Sequence, residues 1–163
     1  MAQLDLKKLS RLDQVMVGAG VLALISLFLA WYGVSVGGFS ASVSGWNTSY
    51  GWLGGLLIVA AGVVVLLQRS EVRLTAVPVR PTVLVLGLSL LGTVIVVLRW
   101  ATLPSGGGGV AGVATYSYGP RVGIWITAIV GACQVVAAFK LFRDSGDPLP
   151  WSKPTSGQEP PAG

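Results

Sequence analysis

Four long apolar runs constrain this chain more than any other feature. They extend from Val15 to Trp31, Trp52 to Leu67, Val83 to Leu98 and Val122 to Leu141, with no charge in the central part of any of them. Each holds about 16 to 20 residues, or roughly 24 to 30 Å as an α-helix. That is near the thickness of a hydrocarbon core, and flanking aromatics supply the remainder. Buried strands of a parallel sheet are the alternative for apolar runs, but four runs of this length argue for helices. In lipid only helices or closed barrels satisfy the backbone, and these runs lack the alternation of barrel strands. The expected fold is therefore all-α: a polytopic membrane protein whose four transmembrane helices, at about 15–32, 52–68, 82–98 and 122–142, form two consecutive hairpins.

Composition points the same way. Of the 163 residues, 53% are hydrophobic and 10% charged, whereas soluble domains carry about 25% charged residues. The net charge of +5 does not indicate nucleic acid, because nearly all charges lie in the gaps between the apolar runs. Membrane lipids are the expected partners, together with a membrane-protein partner or a second copy. The chain has no histidine and one cysteine, Cys133, so the usual His/Cys metal clusters cannot form. No metal and no cofactor is expected. Cys133 lies inside the fourth run and is expected to be buried and inert.

Local signals mark the boundaries. Ser10 and Asp13 form an S-x-x-D pair just before the first run, a helix start. Leu4, Leu6, Leu9 and Leu12 alternate with Lys7, Lys8 and Arg11, so residues 1–14 read as an amphipathic lead-in at the membrane surface. Pro78 and Pro81 interrupt the middle connection, and Pro81 suits the first turn of the third helix. The segment 143–163 is rich in Pro, Gly, Ser and charge and is expected to be disordered. Within it, Trp151 follows Asp147-Pro148-Leu149-Pro150. That ring can dock a partner or lie on the membrane face.

Orientation follows from the basic residues. Lys7, Lys8, Arg11, Arg69, Arg73, Arg80, Lys140, Arg143 and Lys153 fall on one side of the membrane, and Arg99 and Arg121 on the other. The crowded side is expected to be cytoplasmic and to hold both termini. The first run is longer than the usual apolar segment of a signal peptide and ends at Trp31-Tyr32, so cleavage after it is not expected.

On the outer side, two loops rich in Gly and Ser run from about Gly33 to Gly51 and from Arg99 to Arg121. Trp31, Tyr32, Phe39, Trp46, Tyr50, Trp52, Trp100, Tyr116, Tyr118 and Trp125 gather at this level. They read as an interfacial aromatic belt or as a cap that recognises a lipid, a glycan or a partner helix. Asn47-Thr48-Ser49 is a glycosylation sequon, a short motif that often arises by chance. Gly106 to Gly109 lacks the Lys-Ser/Thr and helix context of a phosphate loop. Leu29-Ala30-Trp31 and Leu98-Arg99-Trp100 close the first and third runs, while Gly51-Trp52 and Gly123-Ile124-Trp125 open the second and fourth. The two halves are either a parallel duplication or two hairpins with ordinary interfacial residues.

Candidate functional residues are few. Gly123, Thr127, Gly131, Gln134 and Ala138 share one face of the fourth helix, a packing seam or a polar spot in a transport path. The first helix offers Ala19, Ala23, Ser26 and Ala30, the second Gly51, Gly55 and Gly62, and the third Ser89 and Thr93. Arg99 and Arg121 bracket the second loop, where they can grip an anion or lipid headgroup or snorkel as anchors. No ionisable group occupies a helix centre, where proton-coupled carriers keep theirs, and all six acidic residues lie on the inner side.

The basic start, the segment Leu27-Phe28-Leu29-Ala30-Trp31-Tyr32 and the Ser/Gly-rich loop with Gly45-Trp46, followed by three more helices, resemble small four-helix membrane proteins of high-GC Gram-positive bacteria. The resemblance covers the apolar body and not the tail. It implies a bacterial plasma-membrane location and no activity. Three functions remain in play: a non-enzymatic accessory or scaffolding subunit of a membrane complex, a small oligomeric carrier or pore, and a lipid- or envelope-binding protein. An enzyme acting on lipid is not expected, because the outer side lacks acids and metal ligands.

Overall fold

The computed structural model describes residues 9–69, 80–110 and 114–146. Four helices, α1 (Arg11–Phe28), α2 (Gly51–Arg69), α3 (Pro81–Thr102) and α4 (Val122–Ser145), are long and apolar enough to cross a membrane. α1 starts on a closed capping box: the Ser10 hydroxyl accepts the Asp13 N–H, and the Asp13 carboxylate accepts the Ser10 N–H. Asp13 is also paired with Arg69 at the last turn of α2, at 2.8 Å, which ties the start of one helix to the end of its neighbour. Pro81 begins α3. Gly146, at φ 66°, ends α4 in the left-handed conformation, the usual helix stop. Residues 1–8 of the expected lead-in, the connection 70–79 and the tail from 147 lie outside the described residues.

The helices form a ring in which α1 packs on α2, α2 on α3, α3 on α4, and α4 back on α1. Each seam is made by small or hydroxyl side chains, which let backbones approach closely. Gly20 meets Gly62 between α1 and α2, and Gly54 meets Gly92 between α2 and α3. Gly131 meets Thr93 between α4 and α3. Ser26 and Thr127 share a hydrogen bond of 2.6 Å between α1 and α4. Met16, Leu27, Ile58, Val96 and Ile124 fill the interior between the seams, all fully buried.

The all-α expectation needs correction. The two Gly/Ser-rich loops are strands of one antiparallel sheet at one end of the bundle. β1 (Ala30–Val36) and β2 (Phe39–Ser44) come from the first loop, and β3 (Gly106–Val110) and β4 (Ala114–Pro120) from the second. The order is β2-β1-β4-β3. Accordingly α1 stops at Phe28, and Ala30 to Tyr32, expected inside the first helix, belong to β1. α3 runs on to Thr102, one turn past its expected end. The physical reason is a period of two. Tyr32, Val34 and Val36 alternate with Gly33 and Ser35, and Phe39, Ala41 and Val43 alternate with Ser40 and Ser42. Gly37 and Gly38, at φ 53° and 89°, make the two-residue turn that a tight hairpin favours. A lone hairpin is marginal in water, and the pairing of β1 with β4 joins two hairpins into a four-stranded sheet.

The sheet order also bears on the likeness of the two halves. A two-fold axis along the bundle would exchange β1 with β3 and β2 with β4. The central pair is instead β1 with β4, and β2 and β3 lie at opposite edges. The sheet therefore does not follow the symmetry of a parallel repeat.

The seams generate a direct test. A Cβ on Gly54 would stand 2.8 Å from the Gly92 carbonyl oxygen, and one on Gly92 would stand 2.8 Å from that of Gly54. Gly54→Ala or Gly92→Ala should each cost about 1–3 kcal/mol of stability, as overpacking does. Gly18→Ala and Gly87→Ala, which open on empty space, should be neutral or stabilising by up to about 1 kcal/mol. Unfolding of the four variants in detergent checks the contrast.

Candidate interaction site at the sheet end

Trp31 joins the sheet to the bundle. It is the largest fully buried side chain of the described residues. Its indole N–H donates to the Ser26 carbonyl at 2.8 Å, and its own carbonyl accepts the Arg121 N–H at 2.9 Å. Glycines wall its socket: a Cβ would stand 2.7 Å from the indole at Gly45, 3.0 Å at Gly51 and 2.6 Å at Gly123. The expectation placed Trp31 in an interfacial belt. It is instead a core residue, because the end of α1, the end of β2, the start of α2 and the start of α4 all converge on it.

The five expected residues of α4 all lie on its buried side. Gly123 admits Trp31, and Thr127 bonds Ser26 and its own Gly123 carbonyl. Gly131 takes Thr93, and Ala138 joins the far cluster with Met16, Ala61 and Val65. Gln134 is fully buried, and its amide donates to the Ile58 carbonyl of α2 at 3.0 Å. The Gln134 Oε1 and the Ser89 Oγ, also buried, have no hydrogen-bond partner among the described residues. The arrangement serves packing between four helices, and no ionisable group takes part in it along the helix centres.

Arg99 and Arg121 turn to different partners. Arg99 lies over the Tyr50 ring at 5.6 Å, with its Nε buried and unpartnered, and its stem borders Gly51. Arg121 crosses Gly33 and donates to the Ser35 hydroxyl at 3.0 Å. Its backbone closes the joint with Trp31. Cys133, expected to be buried, faces the outside of the bundle in a shallow groove with Leu12, Val15 and Val136. It flanks the buried side of α4, in the same groove as the buried Ala137. Among the described residues no group of His, Cys, Asp and Glu could hold a metal.

A further feature was not anticipated from the sequence. Residues paired across an antiparallel sheet point to the same side, so the register sorts the sheet into two faces. One face carries the rows Val43–Tyr32–Pro120, Ala41–Val34–Tyr118 and Phe39–Val36–Tyr116. The other carries Ser42–Gly33–Gly119 and Ser40–Ser35–Ser117. Tyr118 and Tyr116 stack on each other at 6.3 Å and reach over Gly106 and Gly108 of β3, whose Cβ atoms they would meet at 2.8 and 2.9 Å. The rings cover a strand that has no side chains of its own there, as aromatics do for sheet glycines. Val34, Val36, Phe39, Val43 and Tyr116 are all exposed on this face, Phe39 at 85%. The signal available in the sequence was the period-two alternation, which high Gly and Ser content obscured.

Trp31→Ala is expected to destabilise the protein by about 3–5 kcal/mol, the usual cost of truncating a buried aromatic. Amide hydrogen exchange in β1 and β4 should rise with it, since the sheet loses its anchor. Unchanged protection in those strands would show that the sheet stands without Trp31. Compared with protein-family models, curated proteins and solved structures, the chain matches none of them.

Proposed function

We propose that this is a non-enzymatic, multi-pass protein of the bacterial plasma membrane. It serves as an accessory or scaffolding subunit of a membrane complex, and the apolar face of its sheet holds the partner. The observation that carries this reading is the face itself. Val34, Val36, Phe39, Val43 and Tyr116 stand exposed on it, while Tyr32 at its base packs against the core of the bundle, and contiguous apolar patches of this kind mark interaction surfaces. The basic residues put the end with Asp13 and Arg69 in the cytoplasm with both termini, and the sheet outside.

Two observations favour scaffolding over transport and catalysis. Fully buried apolar side chains fill the bundle interior. Gln134, its deepest polar group, donates its amide to the Ile58 carbonyl of α2, the helix across the ring. The sheet end carries Arg99 and Arg121, and the acidic residues among those described, Asp13 and Asp144, lie in the first turn of α1 and the last turn of α4. A second reading, contact with an anionic lipid headgroup or envelope component, rests on Arg99, whose Nε is buried without a partner beside Tyr50.

Native mass spectrometry after mild extraction at natural expression tests the proposal, with Val36→Lys beside the unaltered chain. Val36 is 47% exposed in the outermost row of the face, so the substitution leaves the bundle intact. The unaltered chain should carry a reproducible companion, and Val36→Lys should lower its retention about tenfold or more, a change of about 1.4 kcal/mol. A companion held equally by both would sink the role of the face. Homo-oligomers without a companion would sink the accessory-subunit reading and turn attention to vesicle flux.

A further inference from the structure

The two edges of the sheet complement each other. β1 leaves the end of α1 through Leu29 and so runs away from the bundle, and β2 returns to it. β3 likewise runs away and β4 returns. The order β2-β1-β4-β3 therefore ends in a returning strand on one side and a departing strand on the other. Besides their ladders with β1 and β4, neither edge strand makes a backbone hydrogen bond among the described residues. Natural sheets blunt such edges with lysine, proline or a bulge. Phe39–Ser44 and Gly106–Val110 contain no charge and no proline, and the irregular register lies inside the sheet, at Ala30/Tyr32.

We propose that copies of this chain join head to tail through these edges, β2 of one copy pairing antiparallel with β3 of the next. The inference rests on the membrane reading and is independent of what the apolar face holds. Copies that share one membrane have the same end outward, so every β2 returns and every β3 departs. A β3–β2 junction then continues the antiparallel alternation without a break. Two like edges would instead run parallel at equal height, with donors facing donors. Copies in one membrane also keep their rows level. That register sets Ala41 of one copy beside Gly106 of the next, and Phe39 beside Gly108. Phe39, the most exposed large apolar side chain of the described residues, would pack against Tyr116, whose ring covers Gly108. The face would continue unbroken from copy to copy. A head-to-tail contact of this type closes into a ring or extends as a row, depending on the rotation at each junction.

Cross-linking in reconstituted vesicles tests this, in a Cys133→Ser background. Ser40→Cys and Gly109→Cys are suitable positions, because both are exposed, Gly109 opens on empty space, and the register puts both on the Ser/Gly face. Flotation with the vesicles first establishes insertion, which separates failure of the membrane reading from failure of the junction. A short bismaleimide spans the diagonal between the two positions. The mixture of the two single variants should give a dimer that neither variant gives alone. The double variant should give a ladder, and the bands should persist when lipid is added. Dimers from Gly109→Cys alone, matching the mixture, would show like edges meeting and would overturn the proposal. So would a mixture without dimer, or a dimer that disappears on dilution with lipid.

Discussion

The burial of one indole holds the architecture together. Trp31 sits where a helix hands over to a strand, and its socket is formed by Gly45, Gly51 and Gly123, from three other parts of the chain. A ring of that size has a large apolar surface and one N–H to satisfy. The Ser26 carbonyl, at the end of α1, meets the second need at 2.8 Å. Because α4 also reaches this socket, the two helical hairpins cannot separate at the sheet end without exposing the ring. The sheet inherits its rigidity from the same contact, since β1 begins at the residue before Trp31 and pairs with both hairpins.

Below the socket the bundle relies on close approach. Gly20 with Gly62 and Gly54 with Gly92 bring helix backbones together, and the Ser26–Thr127 pair adds one short hydrogen bond in a dry setting. Between helices in lipid, packing and hydrogen bonding take over the role that the hydrophobic effect has in water. Large side chains then fill the axis, and the outward faces carry Leu, Val, Ile and Phe. The far end is secured differently, by the Asp13 carboxylate shared between its own helix start and Arg69. One end is held by an aromatic ring in a glycine socket and the other by charge.

The helices were legible in the sequence because each is a continuous local signal: apolar length, the Ser10/Asp13 cap, Pro81 at a first turn. The buried face of α4 was legible too, since residues spaced by threes and fours fall on one side of a helix whatever its neighbours. Trp31 was not. Its position after an apolar run is also where a membrane anchor would stand, and only the distant glycines distinguish a socket from an interface. Cys133 failed for a related reason, since a residue within an apolar run can face either inward or outward in a chain whose exterior is apolar as well.

The amino-acid sequence by itself determined that four segments of this chain are helical and apolar enough to cross a membrane, and roughly where they begin. Those properties follow from local composition and from a backbone that must satisfy itself. The tertiary structure decided what the intervening segments became. A stretch such as Gly106 to Gly109 has little strand preference, and it is a strand because β4 pairs with it and the rings of Tyr116 and Tyr118 cover it. Tyr32, Val34 and Val36 form part of a face only because Pro120, Tyr118 and Tyr116, from the far half of the chain, take register beside them. Pairing between distant segments costs chain entropy before it returns any contact, so no local pattern reports it.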